Sequence, residues 1–189
     1  MTTTAIIINL LFILCLTASV APRSIGLLKE NDKPSQRFII PLMFGLTQAA
    51  ATGIGYSIGR LIAHLFVYIA DYMVFIMMLV VALKMFVDSI SILKGKMLYT
   101  VNSDWDIFWL TVLAAMNTLL MSLMGSYFMP FGMWFFLIVA LAGFFWSFLI
   151  VKKPFEPKMM KKLSFVEFSA AVFMVVIAIL YLFTDLMVS

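Results

Sequence analysis

The residues of this sequence whose types could do chemistry are concentrated in one stretch, MFGLTQAAATGIGYSIGR, from Met43 to Arg60. Gln48 places a primary amide among small and apolar neighbours, and glycines follow it at positions 53, 55 and 59. Dinucleotide-binding loops need the spacing GxGxxG after a strand, whereas the spacing here is GxGxxxG. Gly55 and Gly59 instead form a GxxxG pair, which lets two helices approach closely in a membrane. We therefore expect this pair to pack helices together.

Polar side chains also interrupt two other apolar runs. The run CLTASVAPRSIG contains Thr17 and Ser19, and the run AAMNTLLMSLMG contains Asn117 and Thr118. Their neutral oxygens and amide can line a substrate pathway, or the hydroxyl groups can bond back to carbonyls of their own helices. The residues alone leave both alternatives open.

Three further features are better explained by packing or solvation than by a site. Cys15 and sixteen methionines offer sulfur to a soft ion, but methionine is a common filler of irregular cores, and no paired spacing is present. The single histidine, His64, is predicted to be a wet interface residue and not a metal ligand. Lys84 and Asp88 lie one turn apart, which predicts either an ion pair near a helix end or a gate. No metal site is expected, and no nucleophile with a base supports an enzyme.

Membrane helices must position these residues. The chain is 65% hydrophobic and 12% charged, a balance that a soluble core of 189 residues could not bury. A membrane-spanning helix needs roughly 20 mostly apolar residues. Six segments qualify, which predicts an all-α, polytopic protein with a single transmembrane domain over 1–189. The segments are Ala5 to Ala21, Phe38 to Ile58, Tyr72 to Ile92, Ile107 to Phe128, Phe131 to Val151 and Phe165 to Phe183.

The ends of two segments carry expectations of their own. The first segment is expected to be retained and not cleaved as a secretory signal, because Met1 to Thr4 carry no positive charge. Glu167 begins the sixth segment and is expected to reach the membrane interface.

The basic residues predict the orientation of the segments. Twelve of the thirteen lysines and arginines fall in or beside the links after the first, third and fifth segments, and only Arg60 falls on the other side. Because cytoplasmic loops carry the excess of basic residues, both termini are expected outside the cytoplasm. The lysines are dispersed in short loops, so a nucleic-acid partner is not expected.

Six helices with both termini on one side can arise from two three-helix repeats. An odd number of helices in each repeat makes the second copy inverted in the membrane. The polar patches CLTASVAPRSIG and AAMNTLLMSLMG occupy matching places in the two halves. The predicted repeats are about 1–96 and about 97–189.

Four stretches, taken in order, resemble helices of a known family. They are LFILCLTASVAPRSIG, MFGLTQAAATGIGYSIGR, FIMMLVVALKMFVDSI and FWLTVLAAMNTLLMSLMG. Together they are similar to the MntP-type manganese efflux pumps, a branch of the LysE-like exporters. The resemblance covers nearly the whole chain and is strongest over 10–125. It implies six helices in two inverted repeats, the inner membrane of a bacterium, and export of Mn²⁺ from the cytoplasm.

The chain departs from this family at its membrane acids. The family carries aspartate, glutamate and aspartate where this sequence has Ser19, Gln48 and Leu120. An arginine and glutamate pair of the family is replaced here by Lys84 and Asp88. Gln48 is then either the uncharged near-isostere of a transport glutamate or a structural amide. The resemblance also implies that Thr17, Asn117 and Thr118 lie along the substrate pathway with the three replaced positions.

These observations predict an exporter that moves a cation or small solute out of the cytoplasm. Mn²⁺ is a possible substrate, although hard divalent ions prefer the carboxylates that this chain lacks. The alternative is a degenerate, non-transporting homologue that acts as a membrane partner or regulatory subunit. No cofactor is expected. The lipid bilayer is the expected environment, with a second copy of the chain or another membrane protein as a possible partner.

Overall fold

A computed structural model describes residues 3–25, 27, 35–65, 67–95, 104–124, 134–153 and 156–184, and this part of the chain is helical and contains no strand. Two short 3-10 turns, Ala63–Leu65 and Val67–Ile69, connect the third helix to the fourth. The α-helices of the described residues are α1 (Thr3–Leu16), α2 (Val20–Ser24), α3 (Gln36–Ile62), α4 (Ala70–Leu93), α5 (Asp104–Ser122), α6 (Trp134–Ile150) and α7 (Pro157–Thr184).

Several of these helices fit a membrane. Within the described residues, four are long and apolar enough to cross one, namely Gln36–Leu65, Tyr72–Leu93, Trp105–Ser122 and Lys158–Leu182. α6 is equally apolar but has 17 residues. The outer faces carry large exposed hydrophobic side chains, among them Leu46, Leu83 and Leu141. Apolar faces on so many helices would drive aggregation in water, so they indicate a protein embedded in a bilayer.

The first predicted segment, Ala5 to Ala21, is not one continuous helix. α1 ends at Leu16, a turn covers 17–19, and α2 begins at Val20. In the turn, the amide of Ala18 bonds to Cys15 O at 3.1 Å and that of Val20 to Thr17 O at 3.0 Å, which is the tighter i to i−3 pattern. Pro22 has no N–H to donate to Ala18 O and suits the first turn of a new helix. The proline therefore accounts for the interruption.

Other predicted segments differ from the helices at their ends. α3 extends beyond the predicted Phe38 to Ile58 at both ends, and α7 begins eight residues before the predicted Phe165. The predicted end of the fourth segment at Phe128 and start of the fifth at Phe131 lie outside the described residues. The predicted repeat boundary at 96 also lies outside them.

The bundle contains one helix pair, α4 with α7, and one central helix, α3, with two neighbours. α4 packs along α7, where Ser89 Oγ and Ser164 Oγ each donate to the other residue's carbonyl at 2.9 Å. Phe86 and Phe168 extend the same contact with ring centroids 5.1 Å apart. α3 packs against both α5 and α6. α3 therefore places Gln48 in the interior of the bundle.

Candidate functional site

The interruption after α1 brings Ser19 against α5. The Ser19 side chain is fully buried, and its Oγ donates to Ala114 O at 2.9 Å. Thr17, in the same turn, donates to Ile13 O at 2.9 Å and so satisfies a carbonyl near the end of its own helix. Of the two predicted pathway residues in this turn, Ser19 reaches across the bundle and Thr17 bonds locally.

Gln48 and Ser19 donate hydrogen bonds to the same acceptor, Ala114 O. Gln48 Nε2 donates to Ala114 O at 3.1 Å, and Gln48 Oε1 accepts from the hydroxyl of Thr118. Gln48 is fully buried, so each end of the amide has replaced water with a protein partner. We name Ser19, Gln48, Thr118 and the Ala114 carbonyl the polar cluster. It joins the turn after α1 to α3 and α5.

Close helix approach holds Gln48 in this position. A Cβ atom added to Gly143 of α6 would come 2.7 Å from Gln48 Cγ, which is closer than real contacts allow. Farther along α3, an added Cβ at Gly55 would meet Leu119 O at 2.6 Å, and one at Gly59 would collide with the backbone of Leu123. The structure thus places the predicted GxxxG pair directly against the backbone of α5.

Asn117 is buried beside the polar cluster without joining it. Its side chain has no exposed area, and neither its Oδ1 nor its Nδ2 has a hydrogen-bond partner among the described residues. Buried amides of this kind are rare and call for an explanation. An unpartnered amide can both donate to and accept from a polar solute, so Asn117 stays a candidate pathway residue.

Leu120 is not part of the polar cluster. It is partly buried and packs against the largest apolar cluster, which includes Phe12 and Met121. The structure therefore brings together two of the three positions where the family carries acids. Thr118, which is also among the predicted pathway residues, supplies the third side chain of the polar cluster.

A group of charged residues lies next to the polar cluster. Lys84 Nζ and Asp88 Oδ2 are 3.0 Å apart, as the spacing predicts. Asp88 Oδ2 also contacts Arg23 Nη2 at 3.1 Å, and Arg23 Nη1 donates to Ser19 O at 2.8 Å. The charge pattern assigned Arg23 to a cytoplasmic link, but its side chain is 5% exposed. Pro22, directly before Arg23, is the sequence signal that could have identified the burial of Arg23.

Glu167 does not reach the interface, contrary to the sequence-based expectation. α7 begins at Pro157, so Glu167 is well inside the helix and its side chain is fully buried. Neither carboxyl oxygen has a hydrogen-bond partner in the described part of the chain. The expectation was wrong because the apolar run starts later than the helix does.

The chemistry of the polar cluster is that of neutral groups. It offers hydroxyl oxygens, one amide and one carbonyl, with no carboxylate among its members. In the described residues, no group of three or more histidine, cysteine, aspartate or glutamate side chains could hold a metal ion. Such a set suits hydroxyl or amide groups, or a weakly hydrated ion, better than a tightly hydrated divalent cation.

No protein-family model, curated protein or solved structure matches this chain.

Proposed function

We propose that this protein is a membrane exporter, built on the plan of the manganese efflux pumps that its sequence resembles, which moves a cation or small solute out of the cytoplasm. The observation that carries the proposal is the interruption at 17–19, which faces Gln48 across the shared Ala114 carbonyl. Discontinuous helices whose backbone and polar side chains meet inside the bundle are typical of substrate sites in secondary transporters.

The proposal includes six membrane segments in two inverted repeats, with α1 and α2 together forming the first. Helix pairing supports it. α3 and α6, the middle helices of the two repeats, cross at Gly45 and Gly143. α5 packs on α3, and α1 and α2 pack in turn on α6. This arrangement is expected from a two-fold axis in the membrane plane.

Two hydrogen bonds are related in the way that a two-fold axis between the repeats would require. Gln48, three residues after Gly45 in α3, donates to a carbonyl of α5, that of Ala114. Trp146, three residues after Gly143 in α6, donates through Nε1 to a carbonyl of α1, that of Leu14, at 3.2 Å. Each middle helix thus bonds the first helix of the other repeat. In α1, this bond satisfies a carbonyl next to the interruption.

The neutral polar cluster supports a substrate other than Mn²⁺. A divalent ion in a low-dielectric site needs formal negative charge to replace its hydration shell. Ser19, Gln48 and Thr118 supply none, and Asn117 is also neutral. We therefore favour a monovalent cation or a small polar solute as the exported species.

The test is efflux from cells of a bacterium that lacks its own manganese exporter. Cells expressing the protein should accumulate less of one solute in a panel of mono- and divalent cations and amino acids than cells with an empty vector. Gln48→Leu should abolish that difference, because it removes both partners of the amide. Leu46→Val, on an exposed face of the same helix, is the matched control and should keep it. Equal accumulation of every solute would contradict export.

The second candidate is a membrane partner or regulatory subunit without transport. It is favoured by one observation, that the hydrogen bonds of Ser19, Gln48 and Thr118 are satisfied within the protein. In that case, no solute in the panel would respond. A second membrane protein would co-purify at fixed stoichiometry, and its activity would change when this chain is deleted.

A further inference from the structure

Two buried groups of opposite charge, Arg23 and Glu167, have atoms without hydrogen-bond partners among the described residues. Glu167 of α7 is fully buried, and both of its carboxyl oxygens are unpaired within the described residues. Arg23 of α2 uses both terminal nitrogens, on Ser19 O and on Asp88 Oδ2, while its Nε is buried and unpaired. The arginine therefore has donor capacity left, and the glutamate has acceptor capacity left.

Helix packing places Asp88 and Glu167 at the same level of the contact between α4 and α7. Ser89, next to Asp88, bonds to Ser164, three residues before Glu167, and Phe86 contacts Phe168. The titratable and charged groups near this level on the helices packed against α7 are Cys15 of α1, Arg23 of α2, and Lys84 and Asp88 of α4. A buried carboxyl group can be held as a neutral acid, or as a carboxylate against a cation. Arg23 is the cation with an unused donor.

We propose that Glu167 is a proton-binding site, and that Arg23 passes between Asp88 of α4 and Glu167 of α7 as the proton binds and leaves. With the proton on Glu167, Arg23 bonds to Asp88, which is the arrangement in this structure. When the proton passes to water, the new carboxylate accepts a hydrogen bond from Arg23, and Lys84 remains as the partner of Asp88. In the first state the two cations share the Asp88 carboxylate, and in the second each cation has a carboxylate of its own.

The exchange would act directly on the polar cluster. Arg23 Nη1 holds Ser19 O, and Ser19 Oγ shares the Ala114 carbonyl with Gln48. A shift of Arg23 from α4 toward α7 would move the turn at 17–19 against Gln48. This inference rests on the proposed function, because it makes the proton the ion that drives export. The site itself can be tested without any transport measurement.

The test is infrared spectroscopy of the full-length protein in lipid, titrated with acid and base. A buried protonated carboxylic acid gives a carbonyl stretching band that disappears when the group ionises. We expect the wild-type protein to have such a titrating band, and Glu167→Gln to lack it. Glu156→Gln removes an exposed acid and is the matched control, so it should keep the band.

Three further variants test the exchange of Arg23 and keep the proposal testable if Glu167→Gln does not fold. Glu167→Asp keeps an acid and should shift the frequency of the band without abolishing it, which identifies the residue even if the glutamine variant does not fold. Asp88→Asn removes the competitor for Arg23, so the midpoint of the titration should move to lower pH by a measurable amount. The matched exchange Asp88→Glu should leave the midpoint close to that of the wild type.

The outcomes separate this inference from the proposed function. Absence of a titrating band, or a band unchanged in both Glu167 variants, would overturn the proton site. A midpoint unaffected by Asp88→Asn would overturn the exchange of Arg23. If the band behaves as expected but no solute is exported, the proton site stands and the export proposal fails.

Discussion

Gly143 lies against the side chain of Gln48 so closely that a Cβ atom added to the glycine would come 2.7 Å from Gln48 Cγ and 3.3 Å from its Cβ. Gln48 cannot easily move away, because Ala114 O and Thr118 Oγ1 hold the two ends of its amide. α6 thus fixes the position of a side chain whose partners lie on α5.

Gly143→Ala should therefore destabilise the protein. The added methyl group must displace Gln48 from its hydrogen bonds or separate α3 from α6, and overpacking of this kind costs about 1–3 kcal/mol. Thermal unfolding of the purified protein in detergent measures the change. Gly53→Ala is the control, because a Cβ there would have only an ordinary contact, at 3.7 Å from Phe136 Cε1. It should be neutral or slightly stabilising. Equal unfolding temperatures for the two variants would contradict the packing of Gln48 on Gly143.

Gly59→Ala should be more harmful than Gly143→Ala. The Cβ atom at position 59 would collide with the backbone carbonyl of Leu123 and not with a flexible side chain, so the helices themselves must separate. Loss of the close approach between α3 and α5 should lower the yield of folded protein and the unfolding temperature. Size-exclusion chromatography and thermal unfolding check both effects, again with Gly53→Ala as the reference. A Gly59→Ala variant as stable as Gly143→Ala would show that α5 can yield there.

The sequence predicted the features that depend on local composition. The positions of the apolar helices follow from runs of apolar residues, and the GxxxG pair predicts a close helix contact before its partner is known. The partners of Gln48 could not be predicted in this way, because Ala114 and Thr118 lie 66 and 70 residues away. Burial of Arg23 depends on the same long-range packing. Pro22 is the local signal for the interruption that brings Ser19 inward.

The next prediction concerns the orientation of the helices in the membrane. Twelve of the thirteen basic residues lie in or beside the links after the first, third and fifth segments, so these links should face the cytoplasm. Reporter fusions after Lys33, Lys96 and Lys158 should all report a cytoplasmic location. A fusion at Ser189 should report the opposite side, and a cytoplasmic signal there would rule out six segments with external termini.

Wild-type protein should bind Mn²⁺ weakly. Neutral oxygens do not offset the loss of hydration of a divalent cation, and the polar cluster holds no carboxylate. Isothermal titration of the purified protein should detect no binding at micromolar concentrations of Mn²⁺. Asp88→Asn is a useful companion, because tight binding that this variant removes would identify the charged group around Arg23 as the metal site and contradict the prediction.

Acids restored at positions 19 and 48 should create a Mn²⁺ site, whereas acids at 19 and 120 should not. Ser19 and Gln48 both reach the Ala114 carbonyl, so Ser19→Asp and Gln48→Glu would place two carboxylates beside one backbone oxygen and the Thr118 hydroxyl. Leu120 packs in an apolar cluster, and an aspartate there would not reach that oxygen.

Alone, Gln48→Glu removes the amide donor and turns a carboxylate oxygen toward Ala114 O, which should cost about 1–3 kcal/mol of stability. A shared ion would relieve this repulsion, so the 19/48 pair should bind Mn²⁺ at least about tenfold more tightly than either single variant, a difference of about 1.4 kcal/mol. Calorimetry and the rise in unfolding temperature with added Mn²⁺ measure the two effects independently. Equal affinity in the 19/120 pair would mean that the ion does not sit at Ala114, and that Gln48 is a packing amide without a transport role.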